Sequence, residues 1–293
     1  VFFSKVMKRT FIIFVLGYLM YWFPFLQNEG GKWVFKSISE TRILGVLQRI
    51  ALCYGAACLI LYWGKHRGAI LFSSLALLLY WALLVVLGDF TLEGNAVRKL
   101  DLLLLGESHL YLGDGIPFDP EGLLSTLPAI VNVLAGYLAC NFIRQNGANW
   151  ETLAKLLMMG IAVVAVALIW NWFLPINKKL WTSSYALYTI GLDVIVLALL
   201  IYVIEIQKHT NWTYFFNVFG KNTLFIYLLS ELGLAVLWII PISGKSLYEF
   251  LFADALAPIV GPYYGSFLFA LGWMVVCWLV GYWLDRKKIY IKV

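Results

Sequence analysis

Arg49, Asn132, Asp193 and Glu231 each stand inside a run of apolar residues. A charge or amide set in hydrocarbon costs a few kcal/mol unless it faces a protein interior or a wet cavity. Such groups together can hold a polar ligand, relay a proton or steady a developing negative charge. In Arg42-Ile43-Leu44-Gly45-Val46-Leu47-Gln48-Arg49, positions 42, 45 and 49 are spaced i, i+3 and i+7. On a helix that is one face, presenting two guanidinium groups to a carboxylate, a phosphate or an oxyanion. The plainer reading is an Arg49 that snorkels to the headgroups.

Three further segments carry chemistry. Asp119-Pro120-Glu121-Gly122 reads as a helix start, with Asp119 at the N-cap and Pro120 at the first helical position. Its two carboxylates also suit a cationic or amino substrate. In Asn177-Lys178-Lys179-Leu180-Trp181-Thr182-Ser183-Ser184-Tyr185, two lysines precede a hydroxyl-rich helix start with Thr182 or Ser183 as N-cap. Gly220-Lys221-Asn222-Thr223 interrupts an apolar run, so Gly220 ends one helix and Asn222 caps the next. Free N–H groups beside Lys221 would make a small anion site, and a plain helix break is the equal alternative. Tyr227 and Glu231 follow at i and i+4, with Glu231 open to pairing with Arg49, to protonation or to proton relay.

His66 and His209 read as solvated loop residues. His109, beside Glu107, is placed to act as a base, against the plainer reading of a surface histidine without a role. Cys53, Cys58, Cys140 and Cys277 form no CxxC pair and read as buried thiols, so no metal site is expected.

The elements that must position these groups are transmembrane helices. Hydrophobic residues make up 62% and charged residues 13% of the 293 residues, and mean hydropathy is +0.83. A lipid-exposed backbone must satisfy its own hydrogen bonds, which leaves helices as the reading for continuous apolar runs of this length. The expectation is an all-α polytopic membrane protein, a single domain over 1–293. Eight spans are expected at about 10–26, 44–63, 69–88, 121–142, 153–174, 183–204, 214–240 and 264–284. Lys5, Lys8, Arg9, Lys65, Arg67, Arg144 and the Arg286–Lys288 run then lie on one side, which sets both termini inside. The net charge of +6 is spread among loops without a basic-aromatic module, so no nucleic-acid partner is expected. Residues 89–120 form an acidic outer loop, and 241–263 an amphipathic segment able to lie along the interface or cap a cavity. Small-residue stripes at Ala51–Gly55 and Gly136–Cys140 leave room for a homodimer.

The strings RILGVLQRI (42–50), FDPEGLLSTLPAIVNVLAGYLA (118–139), INKKLWTSSY (176–185) and GKNTLFIYLLSE (220–231) resemble the transmembrane heparan-alpha-glucosaminide N-acetyltransferase family and its bacterial relatives. GESHLY (106–111) is similar to a further family segment. The resemblance implies transfer of an acetyl group from cytoplasmic acetyl-CoA to an amino sugar or glycan on the other side, in a bacterial inner membrane. Carried to this chain, it implies Arg49, Gln48, Asn177, Lys178 and His109 around the reacting carbonyl. Arg42, Asp119, Glu121, Trp181 and Ser184 would bind the acceptor. Gly220, Lys221 and Asn222 would take the CoA phosphates, with Asn132, Asp193 and Glu231 along the pantetheine arm, which covers about half of a roughly 30 Å bilayer. The family pattern opens with two further spans and places its principal catalytic histidine after the first. Val1 aligns with the third, so the chain is expected to be part of a longer protein. The competing readings are a secondary transporter, from the midplane charges and the glycine-interrupted span, and a non-catalytic membrane subunit.

Overall fold

The computed structural model describes residues 1–29, 32–242 and 244–292. Two compact units divide the chain: Val1–Trp22 with Ser37–His209, and Phe23–Lys36 with Thr210–Val293.

The first unit is helical. Helix α1 (Phe2–Trp22) packs along α2 (Val46–Leu87), α2 on α4 (Thr126–Asn146), α4 on α6 (Ser183–Ile201), and α6 on α5 (Trp150–Trp170). The 42 residues of α2 are two helices joined at Lys65, whose φ of 51° and ψ of −151° are not helical. Its two arms correspond to the expected spans at 44–63 and 69–88. The small-residue stripe at Ala51–Gly55 is used within the unit: a methyl on Gly55 would lie 2.9 Å from Thr10 Oγ1 of α1. Gly160 of α5 and Gly191 of α6 bring those backbones together, since a methyl on either would stand within 2.9 Å of the other's carbonyl oxygen.

The loop 89–120 holds its own helix, α3 (Ala96–Leu105), whose N-cap Asn95 accepts the Arg98 N–H at 2.8 Å. Ala96 and Val97 join Tyr80, Leu84, Phe118, Leu174 and Leu180 in a buried cluster. Arg98 pins the loop by donating from Nε to the Pro117 carbonyl at 2.9 Å.

One expected boundary is displaced. Helix α4 begins at Thr126, with Ser125 at its N-cap position, rather than at Asp119-Pro120. Residues 119–125 are instead a series of tight turns, including Gly122 N–H to Asp119 O at 3.0 Å. Asp119 Oδ1 accepts the Glu121 N–H at 3.0 Å and so starts the turn, while Arg42 holds both carboxylate oxygens and Asp101 takes the Leu123 N–H, which draws the backbone out of a continuous helix.

In the second unit, strands β1 (Leu26–Glu29) and β2 (Lys32–Phe35) pair antiparallel. The helix at the expected first span ends at Trp22 and not at 26; Pro24 has no N–H to continue it. A second two-stranded pair, β3 (Pro241–Ile242) and β4 (Lys245–Ser246), leads into a helical stretch. That stretch comprises α9 (Leu247–Glu249), a π-helical segment (Phe250–Leu256) and α10 (Ala257–Val260). Ser246 and Glu249 cap it reciprocally. Helices α7 (Thr213–Lys221) and α8 (Thr223–Ile239) meet at 84° and pack against α11 (Pro262–Arg286).

Among the described residues five helices are long and apolar enough to cross a membrane: α2, α4, α5, α6 with its extension to Ile206, and α11. The bent α7–α8 pair makes a sixth if it is one span. Their large apolar side chains, such as Leu78, Val86, Met158, Ile161 and Leu279, point outward, as lipid-facing positions do. The protein is an all-α multi-pass membrane protein.

Candidate functional site

The candidate site is built around the 119–125 turn of the first unit, which two arginines hold. Arg42 lies in the extended segment before α2, so the helical face expected for positions 42, 45 and 49 is not what brings the arginines together. Arg42 meets Asp119 through Nε to Oδ2 at 2.8 Å and Nη2 to Oδ1 at 2.7 Å. Nη2 also donates to Glu121 Oε2 at 2.6 Å. The rings of Tyr21 and Tyr111 each lie 4.8 Å from the guanidinium carbon. Burial works against its charge, and the bonds and charge of Asp119 outweigh that and hold Arg42 above its ordinary value. These three groups, expected at the acceptor site, bind one another. The Asp119 side chain is 0% exposed, whereas Glu121 keeps 20% and Arg42 15% at the rim.

Arg49, one turn into α2, does not snorkel. Its Nη2 donates to the Pro120 carbonyl at 2.8 Å, the Gly122 carbonyl at 3.4 Å and Ser125 Oγ. Its guanidinium carbon sits 4.9 Å from the Trp181 ring centroid. Nε and Nη1 are buried and have no partner among the described residues. Gln48 is fully buried with both amide atoms likewise unpartnered, and it packs toward Gly17 of α1, where a methyl would lie 2.5 Å from Oε1. Unpaired buried donors cost free energy unless something arrives to accept from them.

Trp181 joins Arg49 to Asn132. Its Nε1 donates to Asn132 Oδ1 at 3.1 Å, and Asn132 Nδ2 donates to Thr189 Oγ1 at 3.0 Å. Asn132 therefore has the partner it needed. Trp181 has a φ of 50°, a left-handed conformation fixed by the turn before it. There Asn177 Oδ1 accepts the Lys179 N–H at 2.9 Å and the Leu180 N–H at 3.3 Å. Thr182, the N-cap as expected, accepts the Tyr185 N–H. Asn177 thus builds the turn, and Lys178 projects into solvent. Ser184 is buried beside Thr182, their oxygens 3.1 Å apart. Asp193 is exposed and borders a cavity of about 90 Å³ together with Asn132, Gly136 and Ala139.

GESHLY docks along the strand-like segment that carries Arg42. The Ile43 N–H donates to the His109 carbonyl at 3.3 Å, and His109 Nδ1 lies 2.7 Å from the Thr41 carbonyl. A carbonyl only accepts, so Nδ1 carries the proton and Nε2 is the free basic nitrogen. His109 is thereby held against the segment that carries Arg42.

Asp101 was passed over in sequence as one acid in an acidic loop. It is fully buried; Oδ1 accepts the Leu123 N–H at 3.0 Å, and Oδ2 has no partner among the described residues. Burial pushes its carboxyl up to about 7 against the pull of the Leu123 N–H, with Asp119 adding to the rise and Arg49 opposing it. The overlooked signal was a single acid within Leu100-Asp101-Leu102-Leu103-Leu104-Leu105.

In the second unit the expected break at Gly220–Asn222 is present, between α7 and α8. Its polar groups are engaged by the chain itself. Lys221 Nζ pairs with Asp285 at 2.7 Å. Asn222 stands at the cap position, but its side chain holds the C-terminal tail, donating to the Ile289 carbonyl at 3.1 Å and accepting the Ile291 N–H at 2.7 Å. Glu231 is exposed on α8, and Arg49 makes its hydrogen bonds with the 119–125 turn and not with a carboxylate. Among the described residues no cluster of His, Cys, Asp and Glu is arranged to hold a metal ion.

No protein-family model matches the chain. Human (Homo sapiens) heparan-alpha-glucosaminide N-acetyltransferase is 28% identical over 164 residues, covering 50% of this chain and 25% of the human protein. Its mouse (Mus musculus) counterpart is 30% identical over 156 residues, covering 47% of this chain and 23% of the mouse protein. The match thus extends over about a quarter of each relative's length. These similarities make the chain a distant relative of the heparan-alpha-glucosaminide N-acetyltransferases.

Proposed function

We propose that this chain is the core of a membrane acyltransferase that moves an acetyl group from cytoplasmic acetyl-CoA to an amino sugar or glycan across the membrane. In this reading the bilayer is a bacterial inner membrane, crossed eight times with both ends inside. The amine nitrogen attacks the thioester carbonyl, a base takes the amine proton, the carbon–sulfur bond breaks, and the departing CoA sulfur takes that proton from the base to leave as the thiol. The observation that supports this best is the state of Arg49: anchored by one nitrogen and by Trp181, it keeps Nε and Nη1 buried and without a partner among the described residues. Donors fixed in advance, with nothing to accept from them at rest, are what a carbonyl oxygen gaining negative charge requires.

The remaining residues take roles consistent with their surroundings. His109, with Nδ1 held by Thr41, offers Nε2 as the base. Glu121 at the rim attracts a cationic amine. Asn177 acts indirectly, by shaping the turn that presents Trp181. Lys221 and Asn222 are engaged by Asp285 and the tail, so no phosphate is placed on them. Purified protein in proteoliposomes, given labelled acetyl-CoA and glucosamine on opposite sides, should acetylate the sugar. Arg49→Ala should lower the rate by about a hundredfold or more, the cost of one oxyanion donor. Full activity in that variant would remove Arg49 from the site.

One observation favours a secondary transporter instead. Helices α7 and α8 meet at 84° around Asn222, and broken helices of this kind line substrate pathways in transporters. Glucosamine uptake that needs no CoA would select that reading.

A further inference from the structure

We propose that Asp101, which grips the same 119–125 turn as Arg49, is a positioning residue that acts on Arg49 through its charge, so that protonation of one buried carboxyl governs how strongly the guanidinium holds a carbonyl or an anion. Its role in transfer rests on the acyltransferase reading; the coupling of the two side chains does not.

The turn is gripped from both sides. Arg49 Nη2 takes the carbonyls of Pro120 and Gly122, and Asp101 Oδ1 takes the Leu123 N–H at 3.0 Å. Gly122 lies between them, and a methyl there would stand 2.2 Å from Asp101 Oδ2. Each grip uses half of a two-headed group: Oδ2 of Asp101, and Nε and Nη1 of Arg49, are buried without partners among the described residues. The charged and titratable groups around Asp101 are Arg49 from the first arm of α2, Asp119 from the turn, and Tyr80 from the second arm. The Tyr80 hydroxyl is taken by the Leu180 carbonyl.

Oδ1 accepts from Leu123 whether Asp101 is neutral or ionised, so the turn persists in both states and only the charge changes. An ionised Asp101 offsets part of the field that Arg49 exerts on a ligand; a neutral one leaves that field whole. Reciprocity then requires that negative charge gathering at the open edge of Arg49 draws a proton onto Asp101. Burial already pushes this carboxyl up to about 7, within reach of such a shift.

The first test is an infrared titration of the full chain in nanodiscs without ligand. The carboxyl band that disappears in Asp101→Asn should titrate between about pH 5 and about pH 9. Its midpoint should move up in Arg49→Gln and return in Arg49→Lys, because a neighbouring cation favours the ionised form. An unmoved midpoint in Arg49→Gln, or no band lost in Asp101→Asn, overturns the coupling. Should Arg49→Gln fail to fold, the pH profile of transfer from acetyl-CoA to glucosamine decides. The rate ratio of Asp101→Asn to the natural protein should rise about tenfold from about pH 5 to about pH 9, a coupling of one pKa unit. A flat ratio overturns the proposal. No transfer by the natural protein at any pH would defeat the acyltransferase reading, while the infrared midpoints would still decide the coupling.

Discussion

Arg42 and Asp119, 77 positions apart, meet through two parallel hydrogen bonds at 2.8 and 2.7 Å. This fork ties the segment before α2 to the turn before α4. Removing Arg42 leaves the Asp119 carboxylate buried without a counter-charge, whereas removing Asp119 leaves Arg42 with Glu121. Arg42→Ala should lower unfolding free energy by about 3–5 kcal/mol, Asp119→Ala by less, and the double variant by less than their sum. Denaturant unfolding in detergent reads this directly. Arg42→Lys should recover little, because an ammonium cannot reproduce the fork.

Asp101 predicts a pH dependence of stability. Its carboxyl in the folded chain is raised to about 7 by burial, above the ordinary 3.8. A raised acid favours the fold below its unfolded value, and that contribution is lost as pH rises through the folded value. Relative to Asp101→Asn, the natural protein should lose up to about 4 kcal/mol between about pH 4 and about pH 7, then hold level. Thermal midpoints of the two proteins across that window check the sign. A gap that widens toward acid would contradict it.

Trp181 supplies a ring to Arg49 and an N–H to Asn132. Trp181→Phe keeps the ring face, and Trp181→Ala keeps neither. A cation over an indole ring is worth about 0.5–2 kcal/mol, so acetyl transfer should fall about tenfold further in Trp181→Ala than in Trp181→Phe. Equal losses would show that the ring face is not what orients Arg49.

Asn222 clips the tail through both ends of its amide. Asn222→Ala should free it: amide exchange at Ile291 should accelerate about tenfold, matching loss of one hydrogen bond of about 1 kcal/mol. Exchange elsewhere in α8 should stay as it was.

Hydropathy located the long helices because burial in lipid writes itself as continuous apolar sequence, and the break at Gly220–Asn222 was visible as polar residues within such a run. Thr182 was readable as an N-cap because capping is a local interaction. The start of α4 was not readable at Asp119, since its outcome depended on Arg42 and Asp101, both distant in the chain. Arg49 was legible as an intruder in apolar surroundings, but the backbone carbonyls that receive it were not. Asn177 reads as chemical in sequence, and its amide oxygen caps the turn before Trp181; an amide that caps a turn and one that meets a substrate have the same sequence. Asp101 was hidden for the opposite reason: an acid counted with loop acids carries no mark of burial.

Gly160 and Gly191 have a mechanical consequence. With no side chain between them, α5 and α6 are fused along their middles into a single plank, and sliding one past the other would drive carbonyl oxygens and the flanking Val164 and Ile195 into backbone. Any breathing of the first unit must then hinge where the chain is already unwound, at Lys65 or in the 119–125 turn. The second of these carries the grip on Arg49, so a molecule entering there would loosen the hinge and the guanidinium together.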